Sequence, residues 1–321
     1  MPSYARSGIF GKMFEVTASS ERKSFAVARD ETISTAAFRA GVSHICRRGA
    51  RGTGPATVAI EVGHAAELPR EIPARVVSIE RPTSEVAVVT LRVPLGEPFD
   101  YFPGQYIGIA GPDGFVRALS IANAPRTDRT MELHVGRLQG CPVTNHIHRH
   151  LNVGDVIRIE TPQGSHHFPS DESRPLIAIV GGTGYAPLQA MLEDWVAREV
   201  RKEVHLYWGN RLPSRFYAMR TAERLVSLLP KSTFAPVVSS GNLDDGWHGR
   251  RGLVHLAALA DFADLKNVEV FVCGPPGLVD AAERDCLASG LSADRFYADV
   301  VEEGKIGHPR VGEEAETARS F

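Results

Sequence analysis

Apolar and polar positions alternate in short runs through the middle of the chain, and past residue 175 that period gives way to strands separated by helix-spaced segments. Strand-like runs cover residues 74–80, 86–93, 105–110, 116–122, 131–136 and 155–160. Their spacing and the turn residues between them predict an antiparallel barrel. Beyond Ser173-Arg174-Pro175, strands at 176–180, 204–208, 234–239 and 269–273 are separated by helical segments, and a helix at 278–289 leads to a last strand at 295–299. Such alternation predicts a parallel α/β sheet with helices on both faces, which binds its ligand at the carboxyl ends of the strands.

Upstream of the barrel, Phe14-Glu-Val-Thr and Lys23-Ser-Phe-Ala-Val alternate like the arms of a hairpin, and residues 31–41 read as a short helix stopped by Gly41. Residues 67–73, punctuated by Pro69 and Pro73, read as a linker. Residues 302–321 are polar and rich in Glu and Gly, which predicts a mostly disordered tail. The chain is thus expected to divide into 1–70, 71–172, 173–301 and 302–321.

Composition narrows the function. A chain of 321 residues, 43% of them hydrophobic, is long enough for two or three packed domains. A net charge of −2 without a long basic run argues against nucleic acid as a partner. The N-terminus lacks a signal-peptide pattern and no apolar run nears the roughly 20 residues of a membrane span, so a cytoplasmic protein is expected. The cysteines, Cys46, Cys141, Cys273 and Cys286, have no paired spacing and read as reduced thiols.

Candidate chemistry concentrates at a few turns. The β-branched run 176–180 ends in Gly181-Gly182-Thr183-Gly184, and Leu188, Met191, Leu192, Trp195 and Val196 follow at helical spacing. A glycine turn lets the backbone approach a ligand, and the helix start behind it offers unpaired N–H groups and a positive dipole end, a place for a pyrophosphate. The same glycines could equally serve a tight strand-to-helix connection with no ligand. Arg117 and Ser120 fall near one rim of the barrel, Gly140 and Thr144 precede a second helical segment, and Cys273-Gly274 end a strand of the sheet. Alone, each has an ordinary reading: a surface ion pair for Arg117, a strand-edge hydroxyl for Ser120, a small core residue for Cys273. His146 and His150 would share a helix face, but no third ligand stands nearby, so no metal site is expected.

Taken in order, Arg117-x-x-Ser120, Gly140-x-x-x-Thr144, Gly181-Gly-Thr-Gly-x-Ala-Pro187 and Cys273-Gly-Pro-Pro276 resemble the ferredoxin-NADP reductase superfamily. Within it the chain is similar to reductases of the CDP-6-deoxyglucoseen reductase and aromatic oxygenase reductase type over about residues 74–301. The resemblance implies an antiparallel β-barrel flavin domain (71–172), an α/β parallel-sheet NAD(P)-binding domain (173–301), and hydride transfer from NAD(P)H to FAD, with FMN an open alternative. Arg117 would then hold the flavin phosphates, where a guanidinium fork matches the geometry. Ser120 would hydrogen-bond near flavin N5, and Gly140 and Thr144 would complete the cradle. Gly182, Thr183 and Gly184 would take the nicotinamide cofactor's pyrophosphate and ribose, while Cys273 and Gly274 would lie beside the nicotinamide.

Two features depart from the family. Leu119 stands where an aromatic usually stacks on the flavin ring, and Val300 and Val301 occupy the region of a second covering aromatic. Such stacking is worth roughly 0.5–1.5 kcal/mol beyond area burial, so its loss should loosen a flavin without abolishing binding through phosphate contacts. The order of hairpin, helix and Cys46-Arg-Arg-Gly resembles a plant-type ferredoxin domain, whose cluster needs thiolates spaced C-x4-C-x2-C. Arg51 and Gly54 stand at the next two ligand positions. The resemblance therefore implies a small α+β ferredoxin-like remnant with no 2Fe-2S cluster.

The 2′ position of the cofactor is argued from charge. Residues 209–217 after the second strand contain Arg211, Ser214 and Arg215 and no carboxylate, which favours a 2′-phosphate and so NADPH, with NADH as the alternative. The expected acceptor is free flavin, a ferredoxin or an oxygenase component. The losses in the remnant and around the flavin leave a second expectation open, a regulatory or redox-sensing relative that acts through a protein partner.

Overall fold

The computed structural model describes residues 14–18, 23–27, 69–111, 115–164, 172–240, 246–301 and 308–309. The chain forms two compact units, Met1–Leu68 and Pro69–Phe321. In the first, β1 (Phe14–Ala18) and β2 (Lys23–Val27) pair antiparallel with Phe14 opposite Val27, the expected hairpin. The expected helix at 31–41 and the Cys46 loop lie outside the described residues.

The second unit begins with the barrel: β3 (Glu71–Thr83), β4 (Val86–Arg92), β5 (Tyr106–Ala110), β6 (Phe115–Ser120), β7 (Thr130–Gly136) and β8 (Val156–Glu160). They hydrogen-bond in the order β6-β5-β8-β3-β4-β7, all antiparallel. An antiparallel bridge between Ile121 and Leu133 joins the two ends of that order. Alternate residues point inward and pack one core around Val89, Leu91, Ile107, Met131 and Leu133. The helix α1 (Pro142–Arg149) lies between β7 and β8.

The parallel sheet follows, with β9 (Leu176–Gly181), β10 (Val204–Asn210), β11 (Thr233–Val238), β12 (Arg250–Arg251), β13 (Glu269–Gly274) and β14 (Phe296–Val300) in the order β12-β11-β10-β9-β13-β14. Both faces of β9 are buried. Leu176, Ala178 and Val180 pack with α2 (Tyr185–Ala197) and α3 (Met219–Ser227), while Ile177 and Ile179 pack with α4 (Val254–Asp261) and α5 (Pro276–Ala288). Chain order reverses direction across the sheet at β9 and β13, so a crevice is expected beyond their carboxyl ends.

Three details differ from the sequence reading. Pro73, assigned to a linker, sits inside β3 opposite Arg158 of β8. Its other edge has no partner strand until Arg75 meets Arg92, so the missing N–H interrupts no ladder. The two-residue strand β12 extends the sheet beyond β11. In the tail expected to be without order, β15 (His308–Pro309) pairs with Val116 and Phe115 of β6, and the remaining tail lies outside the described residues.

Candidate active site

Between β9 and α2 the chain makes one tight 3-10 turn over Gly182, Thr183 and Gly184. Its glycines have different reasons to be there. Gly182 has φ +55° with open space where a side chain would stand. A Cβ on Gly184 would come 2.3 Å from the Cys273 carbonyl oxygen, and one on Gly181 or Gly274 would come 2.9 Å from Leu278 Cδ2. Those three let β9, the turn and β13 close on one another; Gly182 alone leaves room at the surface of the turn. The Trp208 indole donates to the Gly182 carbonyl at 2.9 Å and fixes its position. On the barrel side, a Cβ on Gly136 of β7 would lie 3.3 Å from Thr183 Cγ2, so the turn rests against the barrel through a residue without a side chain.

Ser120, Cys273 and Asp299 meet at the same place. Cys273 of β13 is in register with Asp299 of β14, and its thiol donates to Asp299 Oδ2 at 3.8 Å. Burial pushes the Asp299 carboxyl above its usual range, against the opposing pull of hydrogen bonds from Cys273, the Val300 backbone and Ser120. Burial, with the Asp299 carboxylate beside it, also drives the Cys273 thiol well up. A thiol of that kind is held protonated and is a donor and packing group rather than a nucleophile. Ser120 comes from the barrel and the other two from the sheet, so the cluster joins the lobes. Sequence reasoning missed Asp299; its one signal was a carboxylate placed near the end of a sheet strand, at the site expected for ligands.

The other expected residues are placed less uniformly. Arg117 on β6 is 5% exposed and lies opposite Ile109 of β5. Leu119 packs against the barrel core. Gly140 has φ +77° and open space beside it, ahead of α1, whose N-terminus has no side-chain cap. The buried Thr144 hydroxyl accepts from Leu138 N at 3.3 Å and reaches the Leu138 and Cys141 carbonyls at 3.4 and 3.3 Å. It therefore holds the shape of the Gly140 loop. Arg211 and Ser214 are exposed, and Arg215 Nη2 lies 3.9 Å from Glu85 Oε2 on the barrel. Val300 is 40% exposed, while Val301 packs against the sheet's core. His148 is bonded to the Val135 carbonyl at 3.0 Å, and no group of three His, Cys, Asp or Glu among the described residues could hold a metal.

These residues fit a dinucleotide. Two open, positive-φ glycines precede or open helix starts without side-chain caps, and at the carboxyl end of the sheet the buried Tyr185 hydroxyl and Asn210 Nδ2 have no hydrogen-bond partner among the described residues. Buried polar atoms left in that state are unfavourable unless something completes them.

Residues 73–168 match the family described as the oxidoreductase FAD-binding domain, and residues 178–284 the oxidoreductase NAD-binding domain. The chain is 34% identical over 228 residues to the CDP-6-deoxy-L-threo-D-glycero-4-hexulose-3-dehydrase reductase of Yersinia pseudotuberculosis, covering 71% of this chain and 68% of that one. It is 33% identical over 243 residues to reductase component 2 of the terephthalate 1,2-dioxygenase of a Comamonas species, covering 75% and 71%. Its fold is shared with the Amycolatopsis cytochrome P450 reductase GcoB, with a TM-score of 0.69 at 23% identity over 89% of this chain and 98% of that one. No helix among the described residues is long and apolar enough to cross a membrane. With FAD-binding and NAD-binding halves in this order and relatives of this likeness, the chain belongs to the NAD(P)H-dependent flavin oxidoreductases of the ferredoxin-NADP reductase superfamily.

Proposed function

We propose that residues 71–172 hold FAD, that residues 173–301 bring NADPH to it, and that the electrons then pass to a ferredoxin, an oxygenase component or free flavin. The observation that carries this reading is the meeting of Ser120 from the barrel with Cys273 and Asp299 from the sheet. When bound, the flavin supplies the step between two-electron and one-electron chemistry. The protein's part is binding, orientation and protons. Arg117 and the Gly140 loop would hold the flavin phosphates, with Thr144 acting through the loop. Gly182 would admit the nicotinamide cofactor's pyrophosphate, and Ser120 and Cys273 would flank the reacting rings as donors. Asp299, whose carboxyl burial raises above its usual range, would be placed to take up or release a proton there.

Arg211, Ser214 and Arg215 support NADPH. The Arg215–Glu85 pair is 41% and 42% exposed, and such pairs contribute about 1 kcal/mol or less, so a 2′-phosphate can compete for the guanidinium. The acceptor follows from the relatives, one named as a reductase for a dehydrase and the other as a component of a dioxygenase. Arg51 and Gly54 cannot ligate iron as thiolates do, so in this reading residues 1–70 pass no electrons and they leave from the flavin itself. The buried free thiols Cys141, Cys273 and Cys286 suit a reducing cytoplasm.

The test is a visible spectrum of the purified protein under anaerobic conditions. A yellow chromophore that NADPH bleaches faster than NADH is the expected result. A protein transparent above the ultraviolet, even after incubation with FAD or FMN, would sink the proposal.

A further inference from the structure

The barrel and the nucleotide lobe are joined by polar side chains that have no place in the site described above. Tyr217, after β10, lies with its hydroxyl 2.9 Å from His134 Nδ1 on β7, and His134 Nε2 lies 2.8 Å from Glu132 Oε1 two residues back on the same strand. Gln189 on α2 donates to the same Glu132 oxygen at 3.2 Å and to Glu193 Oε1 at 3.4 Å. Glu193 in turn accepts the Ala124 N–H from the barrel at 3.1 Å. Only 2% of the His134 side chain is exposed.

The two ends of this run have defined protonation states. Burial works to raise the Glu132 carboxyl, but the hydrogen bond and charge of His134, with Arg126 and Gln189, hold it below its usual value, so it is an acceptor. His134 Nε2 then donates to it. Burial holds the Tyr217 phenol far above its usual value, so it keeps its proton. The Tyr217 hydroxyl, His134 and Glu132 thus form one continuous hydrogen-bonded run between the lobes.

Two contacts connect this chain to the site. Tyr217 lies edge-on to Trp208 with ring centroids 5.3 Å apart, and Trp208 donates to the Gly182 carbonyl. Gly136, two residues beyond His134 on β7, is the residue against which Thr183 rests. A shift at His134 therefore moves the glycine turn relative to Ser120.

We propose that Glu132, His134 and Tyr217, with Gln189 beside them, form a polar latch that sets the angle between the lobes, and that His134 and Tyr217 are positioning residues for hydride transfer. The hydride part rests on the function proposed above; the latch itself does not.

Three variants test it. His134→Phe removes both bonds at similar ring size, and Tyr217→Phe removes one oxygen and guards against misfolding in the first. His134→Gln should restore function in large part, because its amide oxygen and nitrogen can replace the two ring nitrogens. Amide hydrogen exchange at Ala124 reads the seam without reference to any cofactor. It should quicken at least tenfold in both Phe variants and return toward the wild-type rate in His134→Gln, with the amide of Leu206 in the sheet core unchanged. In stopped flow at saturating NADPH, bleaching of the flavin should slow by roughly 10²-fold at unchanged flavin content, the scale expected for a small misplacement at a distance from the chemistry. Wild-type exchange at Ala124 in both Phe variants would overturn the latch. Faster exchange with an unaltered bleaching rate would overturn the positioning role. A wild-type protein that NADPH does not bleach would overturn the proposed function, and the Ala124 readout would still decide the latch.

Discussion

The two ends of the parallel sheet treat buried polar groups in opposite ways. At the amino-terminal end, Lys202 Nζ lies 2.5 Å from Glu269 Oε2 with side chains 1% and 5% exposed, and Tyr297 donates to the other Glu269 oxygen at 3.2 Å. At the carboxyl end of the same strands, Asp299 and Cys273 are both pushed up by burial, and the Tyr185 hydroxyl and Asn210 Nδ2 have no partner among the described residues. Glu269 and Cys273 lie toward opposite ends of one strand, about 13 Å apart at ~3.3 Å per residue. Completed polar pairs hold one end together, and incomplete ones leave the other open to a ligand.

Removing one partner at each end should break that contrast most strongly. Lys202→Ala leaves the Glu269 carboxylate buried without its ammonium and should cost about 3–5 kcal/mol, read as a lower urea midpoint. Asp299→Asn should act in the reverse sense. The Asp299 carboxyl is raised in the folded state, so its stabilising contribution is present below the ordinary aspartate value of 3.8 and is lost as pH rises through the raised folded value. At neutral pH the uncharged amide should therefore fold at least as stably as wild type, and any gain should vanish in acid, while hydride transfer slows. A neutral-pH midpoint that falls as far for Asp299→Asn as for Lys202→Ala would erase the difference between the two ends.

The sequence made most of the architecture legible because each lobe has one dominant period. Barrel strands bury one face, so alternation located them within a few residues; β9 and β13 are buried on both faces and read as continuous apolar runs. What stayed hidden depended on contacts distant in sequence. Glu132 and His134 alternate with Leu133 and Val135 and look like a solvated strand face, yet the residue that covers His134 is 83 positions away. Gly181, Gly182, Gly184 and Gly274 looked alike, although of these four only Gly182 has open space beside it. Thr144 read as a ligand contact because it stands at a helix start; its hydroxyl is turned inward to the loop.

The glycines give a second, smaller contrast. An alanine at 184 must displace the Cys273 backbone, which overpacking of this kind makes about 1–3 kcal/mol unfavourable. An alanine at 182 meets nothing, but at φ +55° it carries the left-handed penalty of about 1–2 kcal/mol. The two should therefore be similar in stability and differ in binding. Gly182→Ala puts a methyl group where the cofactor's phosphates are proposed to approach, and should weaken NADPH binding with the fold intact. Equal NADPH affinity in Gly182→Ala and wild type would remove that glycine from the site.

The smallest change is Tyr185→Phe. The Tyr185 ring is fully buried, stacked on Trp208 at 4.4 Å between centroids, and both contacts survive in phenylalanine. Only the hydroxyl goes, and in the free protein it has no partner among the described residues. A buried hydroxyl in that state costs about 1–3 kcal/mol relative to a satisfied one, so its removal should leave the unfolding midpoint unchanged or raise it by about 1 kcal/mol at most. If the carboxyl end is open for the cofactor's sake, the variant should at the same time bind NADPH less well than wild type. A stabilised protein with undiminished affinity would mean that the hydroxyl is unsatisfied for a reason other than ligand binding, and the contrast between the two ends would then rest on Asp299 and Cys273 alone.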